Sequence, residues 1–141
     1  MEILMDADRL NAFLATDFPQ VADGCSIRSV APDKLVALLQ IGDQHLRPGG
    51  TVSGPSIFAL ADVAIYCAIL SRIGPVALAV TINASIDFMR KPAAGRNLLA
   101  ECRILKLGRS LAVAEAMIFS EGSAEGVARC SMTYSIPPKR Q

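Results

Sequence analysis

The chain has a single histidine, His45, and no C-x-x-C pair; its four cysteines, Cys25, Cys67, Cys102 and Cys130, stand tens of residues apart. That spacing excludes the paired-cysteine zinc sites, and no metal is expected. An isolated histidine supplies no triad. An excess of either charge is missing too: 14 lysines and arginines oppose 13 aspartates and glutamates, for a formal net charge of +1. With no basic block to compete for a phosphate backbone, nucleic acid is not an expected partner. Nor is there an unbroken apolar run of membrane-spanning length, because the stretch 48–71 is interrupted by Asp62 and opens with Gly49, Gly50, Gly54 and Pro55. The chain starts with Glu2, Asp6 and Asp8 where a secretory leader would be basic, and its size does not require disulfides. The expectation is a soluble protein in a reducing cytoplasm.

What the chain has is core material. Apolar residues make up 52% of its 141 positions and charged ones 19%, which suits one domain over 1–141. Leu4, Leu10, Phe13, Leu14 and Phe18 recur at three- and four-residue spacings, predicting a short peripheral helix over about 4–18, capped by Asp6 or Asp8 and ended near Pro19. Segments 25–31 and 34–41 read as strands around Pro32 and Asp33. A loop rich in glycine and proline, 45–56, leads into a helix over 57–70 that is apolar on every face, with Pro55 in its first turn and Gly74-Pro75 at its end. Such a helix must be covered on nearly all sides, by its own chain or by a partner. Four extended segments follow, about 76–90, 97–107, 110–120 and 124–135. In the third, Ala112, Ala114, Ala116 and Ile118 share one face, and their small size lets a curved sheet sit close to a helix. The tail 137–141 is expected to fray.

Asp62 is the one carboxylate or cationic side chain between Arg47 and Arg72. A carboxylate there must be hydrogen-bonded, paired, protonated or open to a cavity, because burying it bare costs several kcal/mol or more. It is either a structural acid or a chemical one. Gly54, ahead of it, is either a tight helix entry or a bare amide at a helix start, where the peptide dipoles favour a developing negative oxygen. Eight helical residues separate the two backbones by roughly 12 Å, so cooperation at one carbonyl implies that a symmetric partner supplies one of them.

Taken together, Gly-Thr-Val-Ser-Gly-Pro-Ser-Ile-Phe-Ala-Leu-Ala-Asp over 50–62, Val-Thr-Ile-Asn-Ala-Ser-Ile-Asp-Phe-Met-Arg-Lys-Pro-Ala-Ala-Gly over 80–95, and Gly108-Arg109 resemble the PaaI-type acyl-CoA thioesterases of the hotdog-fold superfamily. The likeness spans about residues 35–135. It implies an α+β hotdog fold, a long central helix wrapped by a curved antiparallel sheet, in dimers whose sheets join and which often pair into homotetramers. It also implies metal-free hydrolysis of acyl-CoA, with no cofactor because CoA belongs to the substrate. By position, Asp62 takes the carboxylate's place, Gly54 that of the carbonyl-polarising amide and Thr81 that of an auxiliary hydroxyl. Arg47 falls where relatives commonly carry asparagine, Ser53 replaces the usual histidine and Pro55 the second glycine.

On that reading Asp62 activates water or attacks directly, the Gly54 amide holds the oxyanion, and Thr81 orients water or acid, or is simply a strand residue. Arg90, Lys91, Lys106 and Arg109 flank the matched turns and are candidates for the CoA phosphates, or ordinary solvated charge. His45 reads as a structural loop residue and Cys67 and Cys130 as core side chains. Two other functions stay open. One is a non-catalytic acyl-CoA or acyl-carrier binding module, which Arg47, Ser53 and Pro55 support. The other is a dehydratase or isomerase, for which His45 is poorly placed.

Overall fold

A computed structural model of the chain describes residues 2–138; residues 139–141 of the expected frayed tail lie outside the described residues. Its elements run α1 (Ala7–Asp17), α2 (Pro19–Ala22), β1 (Cys25–Ala31), β2 (Lys34–Leu39), α3 (Gly54–Ile73), β3 (Val80–Phe88), β4 (Leu98–Leu107), β5 (Leu111–Ser120) and β6 (Gly126–Ser135). The six strands form one antiparallel sheet in the order β1-β2-β4-β5-β6-β3. The helix α3 packs on all six. Six strands at about 4.8 Å spacing span roughly 24 Å, twice the width of a helix, so the sheet must curl around it. This is the hotdog arrangement that the resemblance implies.

Small side chains allow that close wrap. Ala112, Ala114, Ala116 and Ile118 of β5 are at most 1% exposed, as their shared face predicts, and they meet Ala61, Ala64, Cys67 and Ala68 of α3 in one core. Ser53 caps α3, its hydroxyl accepting the Ser56 amide, and Gly74, at φ +91°, closes the helix with its N–H on the Leu70 carbonyl. The helix alone is long and apolar enough for a membrane span, yet the sheet covers most of it.

Element ends shift by a few residues throughout, and three features depart further from the sequence expectation. The N-terminal helix, capped by Asp6 as anticipated, is not merely peripheral: it sinks Leu10, Phe13 and Leu14 into the core, while Asn11 exchanges hydrogen bonds of 2.9 and 2.7 Å with the Ile27 backbone. A second helical turn, α2, follows Pro19, because proline is compatible with a first helical position. Finally β3 starts at Val80 and not at 76. Residues 76–79 curl instead into a turn, with Ala79 N–H on the Val76 carbonyl, and the Tyr66 hydroxyl of α3 donates to the Ala77 carbonyl at 3.1 Å.

Candidate active site

Asp62 reaches the open side of the molecule because α3 is covered unevenly. Pro55, Ala59 and Asp62, spaced four and three apart, lie along one stripe; the first two are exposed and Asp62 is partly buried, while nearly every residue from Val63 to Ser71 is buried. The chain therefore covers the second half of its central helix from Val63 to Ser71 and leaves the first half, with this stripe, partly open.

Two hydroxyls fix the carboxylate. Thr81, at the start of β3, donates to Asp62 Oδ1 at 2.7 Å, and Tyr134, near the end of β6, donates to the same oxygen at 2.5 Å and lies 3.2 Å from the Asp62 carbonyl oxygen. Thr81 and Tyr134 are directly opposed in the β3–β6 ladder, so the strand register delivers both together. Burial, reinforced by the bond to Asp62, pushes the Tyr134 hydroxyl far above the usual phenol range, which keeps it a donor. Among the described residues no ion pair involves Asp62. It opens instead into a cavity of about 640 Å³ that Ala59, Val63, Tyr66, Thr81 and Tyr134 help to line. A second apolar hollow, about 260 Å³, continues along the helix and shares Gln20, Val21, Ala59 and Val63 with the first.

The other candidate residues are dispersed. Gly54 is the first residue of α3, so its amide belongs to the first-turn donors that a helix leaves unsatisfied. Its neighbour is Phe88 at the far end of β3, and it does not line the Asp62 cavity. Arg47 is exposed in a tight turn, where its N–H meets the Thr51 carbonyl at 2.8 Å and its own carbonyl accepts from Gly50 at 3.0 Å. Gly49 and Gly50, at φ +100° and +84°, make that turn. His45 has a local role: Nδ1 accepts the Gly42 amide at 2.9 Å and its carbonyl accepts from Ser53.

One chain does not gather the four basic candidates into a rim. Lys106 and Arg109 are exposed at the sheet end that holds Thr81 and Tyr134. Arg90 and exposed Lys91 follow Phe88 at the opposite end, and β4 alone spans roughly 30 Å between them. Arg90 is also engaged, donating to the Gly126 carbonyl at 2.8 Å and pairing with Glu125. Sequence reasoning missed Tyr134. The signal was there in the alternation of β6, which turns Cys130, Met132 and Tyr134 inward, since a buried tyrosine hydroxyl needs a partner.

Residues 49–127 match the family model described as the thioesterase superfamily. A protein of Silicibacter sp. TM1040 whose crystal structure is assigned as a thioesterase is 55% identical and superposes with a TM-score of 0.91 over 98% of this chain and 96% of that one. The PaaI protein from the phenylacetic acid degradation operon of E. coli is 25% identical, with a TM-score of 0.76 over 90% of this chain and 91% of its own. Acyl-coenzyme A thioesterase 13 of mouse is 25% identical over 121 residues, 83% of each chain.

Proposed function

The chain belongs to the thioesterase superfamily and is a thioester hydrolase; from that premise we propose that it hydrolyses acyl-CoA at a site completed by two subunits, with Asp62 as general base. The carrying observation is the Asp62 carboxylate, held by two neutral hydroxyls at the wall of a cavity and, among the described residues, in no ion pair. Water held against Asp62 attacks the thioester carbonyl: a C–O bond forms as the proton passes to the carboxylate, the C–S bond then breaks, and the thiolate takes the proton back. The products are a carboxylic acid, ionised at neutral pH, and CoA thiol. The oxyanion formed on the way is stabilised by a Gly54 amide.

That amide comes from the partner subunit. Thr81, bonded to Asp62, and Phe88, against Gly54, occupy opposite ends of β3. This strand is an edge of the sheet and exposes Val80, Ile82 and Phe88, each more than half accessible. Unpaired edges with apolar side chains call for another strand. Antiparallel pairing of two β3 edges about a twofold axis sets the start of one against the end of the other, and so carries the partner subunit's Gly54 toward Asp62. The same operation brings the partner subunit's Lys91 toward Lys106 and Arg109, assembling from two chains the basic rim that CoA phosphates need. The acyl-CoA assignment draws on the name of the mouse relative. Ser53 and Pro55, the departures from the family loop, are absorbed as cap and first-turn residue of α3, which leaves the Gly54 amide intact for hydrolysis.

Complementation tests the shared site. Asp62→Asn and Gly54→Pro homodimers are each expected to be inactive. Random reassortment of the two makes half the dimers mixed, each with one intact site, so about a quarter of wild-type turnover returns. No recovery, with mixed dimers demonstrated by differential tagging, would place both groups within one chain or outside catalysis.

A further inference from the structure

We propose that Tyr134 is a positioning residue of the reaction, one that commits Asp62 Oδ1 to the protein so that Oδ2 alone is the reacting oxygen. The inference rests on the reading of Asp62 as the reacting acid and adds which of its two oxygens acts and what selects it. Tyr134 is 3% exposed, so its hydroxyl depends on a protein acceptor, and Asp62 Oδ1 is that acceptor at 2.5 Å. Thr81 reaches the same atom from the neighbouring strand at 2.7 Å. A carboxylate oxygen offers two lone pairs, and two donors fill them. Among the described residues no protein donor reaches Oδ2, which is left for water.

Two donors do what one does not. The last torsion of an aspartate is broad and nearly twofold, so a carboxylate held by Thr81 alone can swing about a single hydrogen bond. A second donor, from a different direction and on a strand whose register is locked, fixes its plane. Water activation depends on such alignment, since an error of about 1 Å can cost 100-fold in rate. Burial keeps the phenol protonated, so the contact persists across the working pH range.

Tyr134→Phe removes the hydroxyl and keeps the ring that packs on Tyr66 with centroids 6.0 Å apart. In thiol-release assays with acyl-CoA, kcat should fall about 10- to 100-fold with KM within about twofold of wild type. In an Asp62→Asn background the same change should leave the residual single-turnover rate untouched, because the residue acts through the acid. A Tyr134→Phe enzyme with wild-type kcat overturns the proposal, as does an equal loss in the Asp62→Asn background, which would mean that Tyr134 touches substrate. An inactive Asp62→Asn beside a fully active Tyr134→Phe removes the inference and spares the function, whereas an active Asp62→Asn removes both. Should Tyr134→Phe fail to fold, 4-fluorophenylalanine at 134 keeps the ring and fills the place of the hydroxyl with an atom that cannot donate; an unchanged kcat then refutes the role.

Discussion

The amide of Gly54 can be deleted almost without disturbing the fold, which makes the oxyanion assignment open to a sharp test. Gly54 is the first residue of α3, and proline is well tolerated there because that N–H has no helical partner. Ser53 before it has φ −72° and ψ 151°, the extended conformation that a following proline requires. A Cβ at 54 would meet Phe88 Cζ at 3.4 Å and Cε1 at 3.7 Å, an ordinary packing contact. Gly54→Ala therefore controls for the added Cβ and keeps the N–H, whereas Gly54→Pro adds a three-carbon ring and removes it. Because residue 54 precedes Pro55 and is helical, a Cβ there is disfavoured, so both variants should fold but melt somewhat below the wild type. Loss of one oxyanion donor costs about 100- to 1,000-fold in kcat, or roughly 2.7–4 kcal/mol. Free-thiol release from acyl-CoA, followed at saturating substrate, should show that drop in Gly54→Pro and only a few-fold change in Gly54→Ala. Equal activities in the two folded variants would refute the reasoning.

Three more outcomes follow from the geometry. Ile82→Lys places a charge on an edge residue that is 56% exposed, so the monomer should fold while sedimentation shows loss of the dimer, with turnover falling in parallel; a fully active monomer would contradict the shared site. Ala114→Leu forces three extra carbons into a completely buried seam and should cost about 1–3 kcal/mol in urea titrations, with an unchanged midpoint showing that the seam is looser than described. Burial raises the Cys25 thiol from 9.0 to about 11, and burial together with the negative charge of Asp62 does the same at Cys130. Because the fold favours the protonated thiols, their contribution is complete below pH 9 and is lost as pH rises through 11, so the urea midpoint should decline over that window and decline less in a Cys25→Ala, Cys130→Ala variant.

Elements governed by local pattern were legible in the sequence. Alternation placed the inward alanines of β5, Asp6 was available as a cap, and Gly74-Pro75 marked the end of α3. Where reading failed, a distant contact had overridden a local preference. Residues 76–79 are apolar and look extended, yet Tyr66, eleven positions from the carbonyl it binds, draws them back onto the helix. The N-terminal helix is short and reads as an accessory, but Asn11 ties it to β1 sixteen residues away and Leu10 and Leu14 are turned inward. The basic candidates were chosen for their nearness to matched turns, and nearness in sequence does not tell which end of a sheet a turn occupies.

The site divides along the same line. An acid alone in an apolar helix is visible in sequence, but its hydrogen-bond partners lie 19 and 72 residues further on. Their convergence depends on the β3–β6 register, which only folding reveals. That register has a consequence for how activity and assembly are linked. Thr81 sits at one end of the edge strand and Phe88, packed against Gly54, at the other, so the strand that holds the acid in place also carries the apolar residues that need covering. Joining two such edges hides exposed valine, isoleucine and phenylalanine and, in the same rotation, sets each acid toward the other chain's amide. In the dimer proposed above, the apolar burial that stabilises association would also hold Asp62 and the Gly54 amide at a fixed separation, so an edge mutation that weakens association is expected to weaken turnover through lost alignment even where both groups are intact.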